Sequence, residues 1–139
     1  MSREPQRHSV YETVVRVEPA DLDERNHVNN VVYVRWVQNI AIAHWRTLAT
    51  AEDQAQIAWV ALRHEIDYLS PAFVGDEIVL RTWVGHAERL SFERMTEVRR
   101  ASDRKLLAKA RTLWCPVDAS TGRPVRVSAA VRALFSRGA

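Results

Sequence analysis

The sequence predicts an α+β domain in which one long central helix is wrapped by an antiparallel sheet of about five strands. Three observations lead to this prediction. One long helical pattern of apolar residues lies in the first half of the chain, four long strand-like segments with short connections follow it, and a further strand-like segment precedes it. The sequence has 139 residues, 47% of them hydrophobic. We therefore predict one domain over residues 1–139, which is long enough to bury a core without metal or disulfide support.

The first predicted element is a strand after a polar start. Residues 1–9 are expected to form a loose tail, as chain termini often do. Residues 10–17, VYETVVRV, are rich in β-branched and aromatic side chains, which favour a strand. Pro19 ends this strand, and the polar residues 21–28, DLDERNHV, predict a loop.

A long helix is predicted over about residues 30–49. Asn29 or Asn30 suits the N-cap position, because the side-chain oxygen of asparagine can accept a free backbone N–H of the first turn. The helical face is apolar enough to be buried. Its members recur at helical spacing and are Val32, Trp36, Ile40, Ala43 and Thr47, widened by Tyr33, Val37 and His44.

Four long strands are predicted in the second half, over residues 56–70, 76–86, 89–100 and 105–117. The apolar alternation of the third is interrupted by a polar residue, Arg94. Short connections between consecutive strands predict an antiparallel meander. A short helix at about 127–135, with Ser128 near its start, ends the chain. A sheet with one face on the helix leaves its edges and part of its outer face for a partner chain.

Composition excludes several classes of protein. The net charge is +3 and the pI about 9.5, but 20 basic residues are interleaved with 17 acidic ones, which disfavours nucleic-acid binding. The sequence contains no run of about 18 apolar residues, so no membrane span is predicted. The polar start MSREPQRHSV does not resemble a signal peptide. The single cysteine, Cys115, favours a reducing compartment, so a cytoplasmic location is expected.

Several familiar catalytic signatures are missing. The sequence contains no Gly-x-Ser-x-Gly elbow and no glycine-rich phosphate loop. His64-Glu65 lacks a second histidine at the spacing of a zinc-binding helix and sits in a strand pattern, so no metal or cofactor is expected. Cys115 stands at a strand end, where a small core residue is a better interpretation than a catalytic thiol.

The remaining candidate is the polar cluster of residues 21–30, directly before the long helix. Two interpretations stay open. One is a solvated loop with a helix cap; the other is a site, since the cluster combines acids, a base and amides where the helix dipole favours developing negative charge. A carboxylate beside a helix N-terminus is suited to attack on a carbonyl, with the helix N–H polarising the carbonyl oxygen.

This cluster carries a family resemblance. DLDERNHVNNVVYVRWVQ resembles the active-site segment of hotdog-fold thioesterases, both the 4-hydroxybenzoyl-CoA thioesterase-like group and the plant acyl-carrier-protein (ACP) thioesterases. The shared pattern is Asp-x-Asp, a short loop, His-Val-Asn-Asn, then an aromatic residue and Arg-Trp. DYLSPAFVGDEI and VDASTGRPVRV are similar to further segments of that family, so the resemblance covers about residues 10–127. It implies hydrolysis of an acyl thioester within fatty acid metabolism.

The resemblance also implies roles for individual residues. Asp23 matches the catalytic carboxylate, and Asn30 matches the position whose backbone amide holds the thioester oxygen. His27 matches the histidine of the plant-type enzymes, where it either orients Asp23 or packs the turn. Those enzymes have asparagine where this chain has Arg25, which favours a simpler mechanism centred on Asp23. Asp21 is expected to cap the turn and Asn29 the helix.

Substrate and partners are predicted only as classes. The substrate is acyl-CoA or acyl-ACP, and the protein is expected to form a homodimer or homotetramer. Tyr33 is a candidate for substrate binding, and four tryptophans either line an aryl or fatty-acyl pocket or form core: Trp36, Trp45, Trp59 and Trp83. Arginines near the strand turns are candidates for the nucleotide phosphates of coenzyme A, against the alternative of a solvated basic rim: Arg89, Arg99, Arg100 and Arg104.

Two other functions stay open from the sequence. The first is a hotdog protein that binds an acyl thioester without turnover and acts as a ligand sensor. The second is a hotdog dehydratase or hydratase, which is disfavoured because those proteins carry a different motif, with the catalytic histidine elsewhere along the helix.

Overall fold

The computed structural model describes residues 9–136. In chain order, these residues form β1 (Tyr11–Arg16), a 3-10 turn (Pro19–Asp21), α1 (Asn30–Leu48), α2 (Ala51–Gln56), β2 (Ile57–Tyr68), β3 (Glu77–Ala87), β4 (Phe92–Arg100), β5 (Leu106–Asp118) and α3 (Ala129–Leu134). The predicted strands and both predicted helices are confirmed to within a few residues. The short helix α2 was not predicted, because residues 51–56 carry no buried residue and hence no apolar stripe.

The five strands form one antiparallel sheet in the order β1-β3-β4-β5-β2. Alternate residues of the central strands are buried, and in β4 these are Phe92, Arg94, Thr96 and Val98. The α+β class, with one long helix and a sheet of five strands, is therefore confirmed. Within the described residues, no helix combines the length and the hydropathy that crossing a membrane requires.

The prediction of a meander through all four long strands is wrong for β2. This strand pairs with β5 at the edge of the sheet, and β3 pairs with β1 and β4 instead. The connection after β2 does not turn back, because it passes the start of α1, where Ala72 is fully buried and its carbonyl accepts the N–H of Val28 at 3.0 Å. Turn residues mark this connection but carry no information about which edge the chain reaches.

Helix α1 begins at its expected cap. The side chain of Asn29 accepts the N–H of Val31 at 3.1 Å, as an N-cap does. The buried face contains most of the predicted stripe from Val32 to His44, whereas Ala43 is only partly buried and Thr47 is exposed. The helix has 19 residues, which corresponds to about 28 Å at 1.5 Å per residue. Its two ends therefore lie in different parts of the molecule.

Two core clusters pack along α1. The first surrounds the N-terminal half with Tyr33 and Trp36, and the second surrounds the C-terminal half with Trp45 and Phe135. Residues 1–8 of the predicted tail lie outside the described residues. Ser9, which was included in that tail, is buried, and its N–H donates to the carbonyl of Phe135 at 2.9 Å.

Candidate functional site

The loop before α1 is a closed turn. Leu22 and Val28 form an isolated antiparallel bridge, and the N–H of Asp23 donates to the carbonyl of His27 at 2.8 Å. Asn26 closes the turn with φ 63°, a left-handed conformation that asparagine tolerates better than most residues. The buried side chain of Val28 anchors the loop to the core. The polar cluster is therefore a defined structure with a fixed path.

The carboxylate of Asp23 is held by backbone groups. Its Oδ1 accepts the N–H of Arg25 at 2.9 Å and that of His27 at 3.1 Å. Oδ2 accepts no hydrogen bond from any residue between 9 and 136, and the side chain is half-buried. One oxygen thus fixes the orientation of the group, and the other has no hydrogen-bond partner among those residues.

His27 meets Asp23 through its backbone and not through its ring. The imidazole lies edge-on to Phe73, with ring centroids 5.4 Å apart. Of the two roles that the sequence left open, the ring makes the packing contact, and the N–H orients the aspartate. The side chain of Arg25 is exposed, and its N–H is the group that serves the carboxylate.

Asn30 is the first residue of α1 and is exposed. The N–H of a first helical residue has no partner within the helix and lies at the positive end of the helix dipole. The carbonyl of Asn30 accepts the hydroxyl of Tyr68 at 3.2 Å, which ties the helix start to the end of β2. The structure thus places a carboxylate and a helix N-terminus on the same short segment.

Asp21 has a structural role, and one of its partners, Arg35, was not predicted. Its Oδ2 accepts the N–H of Glu18 at 2.9 Å and caps the 3-10 turn as expected. Its Oδ1 accepts Nη2 of Arg35 at 2.8 Å, in an ion pair whose aspartate is buried. The carbonyl of Asp21 also accepts the N–H of Asn29 at 2.8 Å. The first aspartate of the motif therefore fixes the loop to the helix.

The four candidate arginines lie at two ends of the sheet. Arg99, Arg100 and Arg104 lie at the turn between β4 and β5, and Arg89 lies at the opposite end of β4. The guanidinium of Arg100 is already hydrogen-bonded within the chain, to Asp76, Asp103 and the carbonyl of Pro71. Because Pro71 precedes Ala72, which contacts Val28, this turn is on the same side of the molecule as the Asp23 loop.

Tyr33 is buried, with 3% of its surface exposed, and lies edge-on to Trp36 and to Tyr68. Burial raises the pKa of its hydroxyl above the ordinary value. The four candidate tryptophans have different surroundings. Trp36 is core, Trp45 and Trp59 line a cavity, and Trp83 stacks under Arg81 at 5.2 Å.

Exposed apolar residues surround the loop and the helix start. Val31 at the start of α1 is 70% exposed, and Phe73 and Val74 follow the connection after β2. With Tyr68 and Leu69 they form a patch beside Asp23 and Asn30. Contiguous exposed apolar residues mark sites of ligand binding or of protein contact.

A second polar group, missed from the sequence, lies in the core at the other end of α1. Nη1 of Arg94 donates to Nδ1 of His44 at 2.9 Å and to the hydroxyl of Thr82 at 3.2 Å. Burial and the charge of Arg94 lower the pKa of His44 to about 3, and burial lowers the pKa of Arg94 to about 9. At neutral pH a charged arginine therefore faces a neutral histidine. The one signal in the sequence was the polar interruption of the β4 alternation.

Arg94 also lines a cavity of about 360 Å³ at this end of the helix. The walls are mostly aromatic, with Trp45, Trp59, Trp114 and Phe92 among them. Asn30 and Trp45 are separated by about 22 Å along α1. The cavity is therefore separate from the Asp23 loop of the same chain.

One family of known proteins matches most of the chain. A family model described as the thioesterase-like superfamily matches residues 17–135. A search of curated proteins found no match.

Several solved structures share the fold. A thioesterase from Thermus thermophilus, complexed with coenzyme A and Zn, is 24% identical with a TM-score of 0.80, over 94% of this chain and 93% of that one. A 1,4-dihydroxy-2-naphthoyl-CoA thioesterase from Synechocystis is 17% identical with a TM-score of 0.76, over 91% and 95% of the two chains. A DHNA-CoA thioesterase from Staphylococcus aureus is 18% identical with a TM-score of 0.75, over 84% and 80%. These likenesses establish the fold.

Proposed function

Because the chain belongs to the thioesterase-like superfamily, with the hotdog fold of its structural neighbours, we propose that it hydrolyses an acyl thioester of coenzyme A or ACP. The products are the free acid and the thiol. One observation carries the proposal: Oδ1 of Asp23 is held by two backbone N–H groups, while Oδ2 is left without a partner among residues 9–136. A carboxylate oriented in this way, close in sequence to a helix N-terminus, suits attack on a carbonyl.

The chemistry assigns a different task to each group. Asp23 either attacks the carbonyl carbon and expels the thiolate, leaving an anhydride that water hydrolyses, or takes a proton from a water that attacks this carbon and expels the thiolate. The N–H of Asn30, at the positive end of α1, donates to the carbonyl oxygen as negative charge develops on it. His27 contributes its N–H to hold Asp23, and its ring supports the turn through Phe73.

Binding of the carrier is assigned to the rim of this site. Arg104 is exposed at the turn between β4 and β5, and its carbonyl accepts Nη1 of Arg99. We assign the contact with the nucleotide phosphates to Arg99 and Arg104, because this turn is on the side of the Asp23 loop. Because Tyr33 is buried, we assign it to the wall of the site and not to its exposed rim.

We also propose that two copies pair through β2. This edge strand has 12 residues with an unpaired backbone edge, whereas the opposite edge strand, β1, has six. Val60 and Leu62 on β2 are exposed. In a symmetric antiparallel pair, residues at the middle of β2 meet their own copies. The Tyr68 end of one copy then lies beside the Ile57 end of the other.

The experiment that tests hydrolysis is a panel of acyl-CoA and acyl-ACP thioesters assayed with a thiol-trapping dye. Release of thiol that depends on the protein supports the proposal and identifies the acyl group and carrier. Binding of the same thioesters without release of thiol would contradict it and would establish the sensor alternative. The cytoplasmic location stays a prediction.

A further inference from the structure

The cavity at the C-terminal half of α1 has features that packing alone does not explain. Its volume of about 360 Å³ lies within the range of small-molecule sites. The indoles of Trp45, Trp59 and Trp114 and the rings of Phe92 and Phe135 line it. Native cores are close-packed, so an aromatic cavity of this size indicates room for an apolar ligand.

One charged side chain lies in this apolar wall. Arg94 is 4% exposed and lines the cavity. Its guanidinium lies 5.8 Å from the centre of the Phe135 ring. Both of its hydrogen bonds within residues 9–136 come from Nη1 and go to neutral groups, His44 and Thr82. No carboxylate among those residues lies within ion-pair distance of it.

Burying the charge of Arg94 without an opposite charge costs free energy of folding. A guanidinium has five N–H donors, and buried charges in proteins are normally paired. The indole nitrogens of two further lining residues, Trp59 and Trp114, are also buried without an acceptor in the described part of the chain. Three lining side chains therefore carry N–H donors without an acceptor among the described residues, and none of those residues supplies a carboxylate to Arg94.

We propose that this cavity binds an apolar carboxylic acid as its anion, with the carboxylate on the guanidinium of Arg94 and the hydrocarbon part among the aromatic rings. A carboxylate fits the planar fork of arginine with two parallel hydrogen bonds. The walls favour an apolar body over a strongly hydrated polyanion, and a single buried cation matches a single negative charge.

The acid has two possible sources. It is either a free acid or the far end of an acyl group whose thioester lies at the Asp23 site of a second copy. The second source rests on the proposed function and on the pairing through β2. That pairing brings the Tyr68 end of one copy, with its helix start, to the Ile57 end of the other, and Ile57 lines the cavity.

The first experiment measures binding without turnover. The probe is 4-phenylbutyrate, its uncharged match is 4-phenylbutanol, and the readouts are calorimetry and the fluorescence of the lining tryptophans. We expect the acid to bind at least about tenfold more tightly than the alcohol, since a charge-assisted hydrogen bond is worth that much. Arg94→Met should abolish this preference, and Arg94→Lys should keep part of it.

Matched variants make the result specific. Arg46 also lines the cavity but is exposed, so Arg46→Met should keep the preference for the acid. Replacing a buried charge by an apolar side chain of similar volume is often tolerated, and circular dichroism checks the fold of Arg94→Met. Equal binding of acid and alcohol by the parent protein would overturn the proposal. So would a preference that survives Arg94→Met or disappears in Arg46→Met.

The second experiment identifies the source of the acid. It compares octanedioyl-CoA, whose acyl group ends in a carboxylate, with octanoyl-CoA. If the acyl group is the source, Arg94→Met raises the KM for octanedioyl-CoA relative to that for octanoyl-CoA by about tenfold or more. An unchanged ratio assigns the cavity to a free acid. Binding of 4-phenylbutyrate by Asp23→Asn separates this proposal from hydrolysis, because it needs no turnover.

Discussion

Oδ1 of Asp23 lies 3.1 Å from the backbone nitrogen of His27, and the imidazole of the same histidine points to Phe73 instead. The histidine of the motif therefore orients the aspartate through its main chain. Because a backbone N–H is present in every residue except proline, this contact does not require an imidazole.

This relationship predicts that His27→Ala is mild. The variant keeps the N–H that holds Asp23 and loses the edge-on contact with Phe73. We expect kcat to fall by less than about tenfold, and stability to fall by about 0.5–1.5 kcal/mol, the worth of an aromatic pair. Steady-state kinetics and thermal unfolding measure both. A loss of kcat near that of Asp23→Asn would show that the ring takes part in catalysis.

Leu62→Glu is expected to separate the two copies. Leu62 stands at the middle of β2, so symmetric pairing would place two added charges side by side. The matched control is Val14→Glu on the other edge strand, since Val14 is 58% and Leu62 60% exposed. Sedimentation at micromolar concentration should show a dimer or larger for the control and a monomer for Leu62→Glu. A monomeric parent protein would contradict the pairing.

Acid is expected to destabilise the fold through His44. Its pKa is about 3 in the fold and near 6.5 in the unfolded chain, so below pH 6.5 the unfolded state binds a proton that the folded state does not. Its contribution to stability is therefore present above pH 6.5 and is lost as the pH falls toward 3.

The slope of this loss can be measured. Between pH 6 and 4, the free energy of unfolding should fall less steeply in His44→Asn than in the parent, by up to about 1.4 kcal/mol per pH unit. His86→Gln removes an exposed histidine and serves as the control variant. Equal slopes for all three proteins in denaturant titrations would contradict the burial of a neutral His44.

Arg104→Ala is expected to weaken the binding of coenzyme A thioesters. An exposed ion pair is worth up to about 1 kcal/mol, so KM should rise roughly two- to fivefold with little change in kcat. The matching N-acetylcysteamine thioester lacks the nucleotide phosphates, and its KM should not change. Arg89→Ala, at the opposite end of β4, serves as the control. Equal effects on both thioesters would show that Arg104 does not contact phosphate.

The sequence was informative where local physics decides the structure. Asn29 caps α1 as predicted, because an N-cap needs only a side-chain acceptor and a free backbone N–H a short way along the chain. The helix stripe and the strand alternation are periodic and can be read directly. Asp23 was singled out by the family resemblance of the motif, and its loop is local too, since the N–H groups that hold its carboxylate belong to Arg25 and His27.

The errors concern long-range contacts. Pairing of β2 with β5 depends on where the connection after Tyr68 crosses the molecule, and this depends on the burial of Ala72 against α1. Arg94 was visible only as an interruption in a strand. Its burial depends on His44 and Thr82, which are 50 and 12 residues away in sequence. No local pattern encodes such a cluster.

The most direct test of the proposed mechanism is the turnover of Asp23→Asn on a thioester that the parent protein hydrolyses well. This change keeps the size of the side chain and removes its charge and basicity, so kcat should fall by roughly 10²–10⁴, while the fold and the oligomer survive. Glu24→Gln, an exposed neighbour, should keep normal turnover. In a single turnover of the parent protein in oxygen-18 water, label in Asp23 identifies a nucleophile, whereas a base leaves Asp23 unlabelled and puts the label in the product. Near-normal turnover of Asp23→Asn would contradict the assignment of the site.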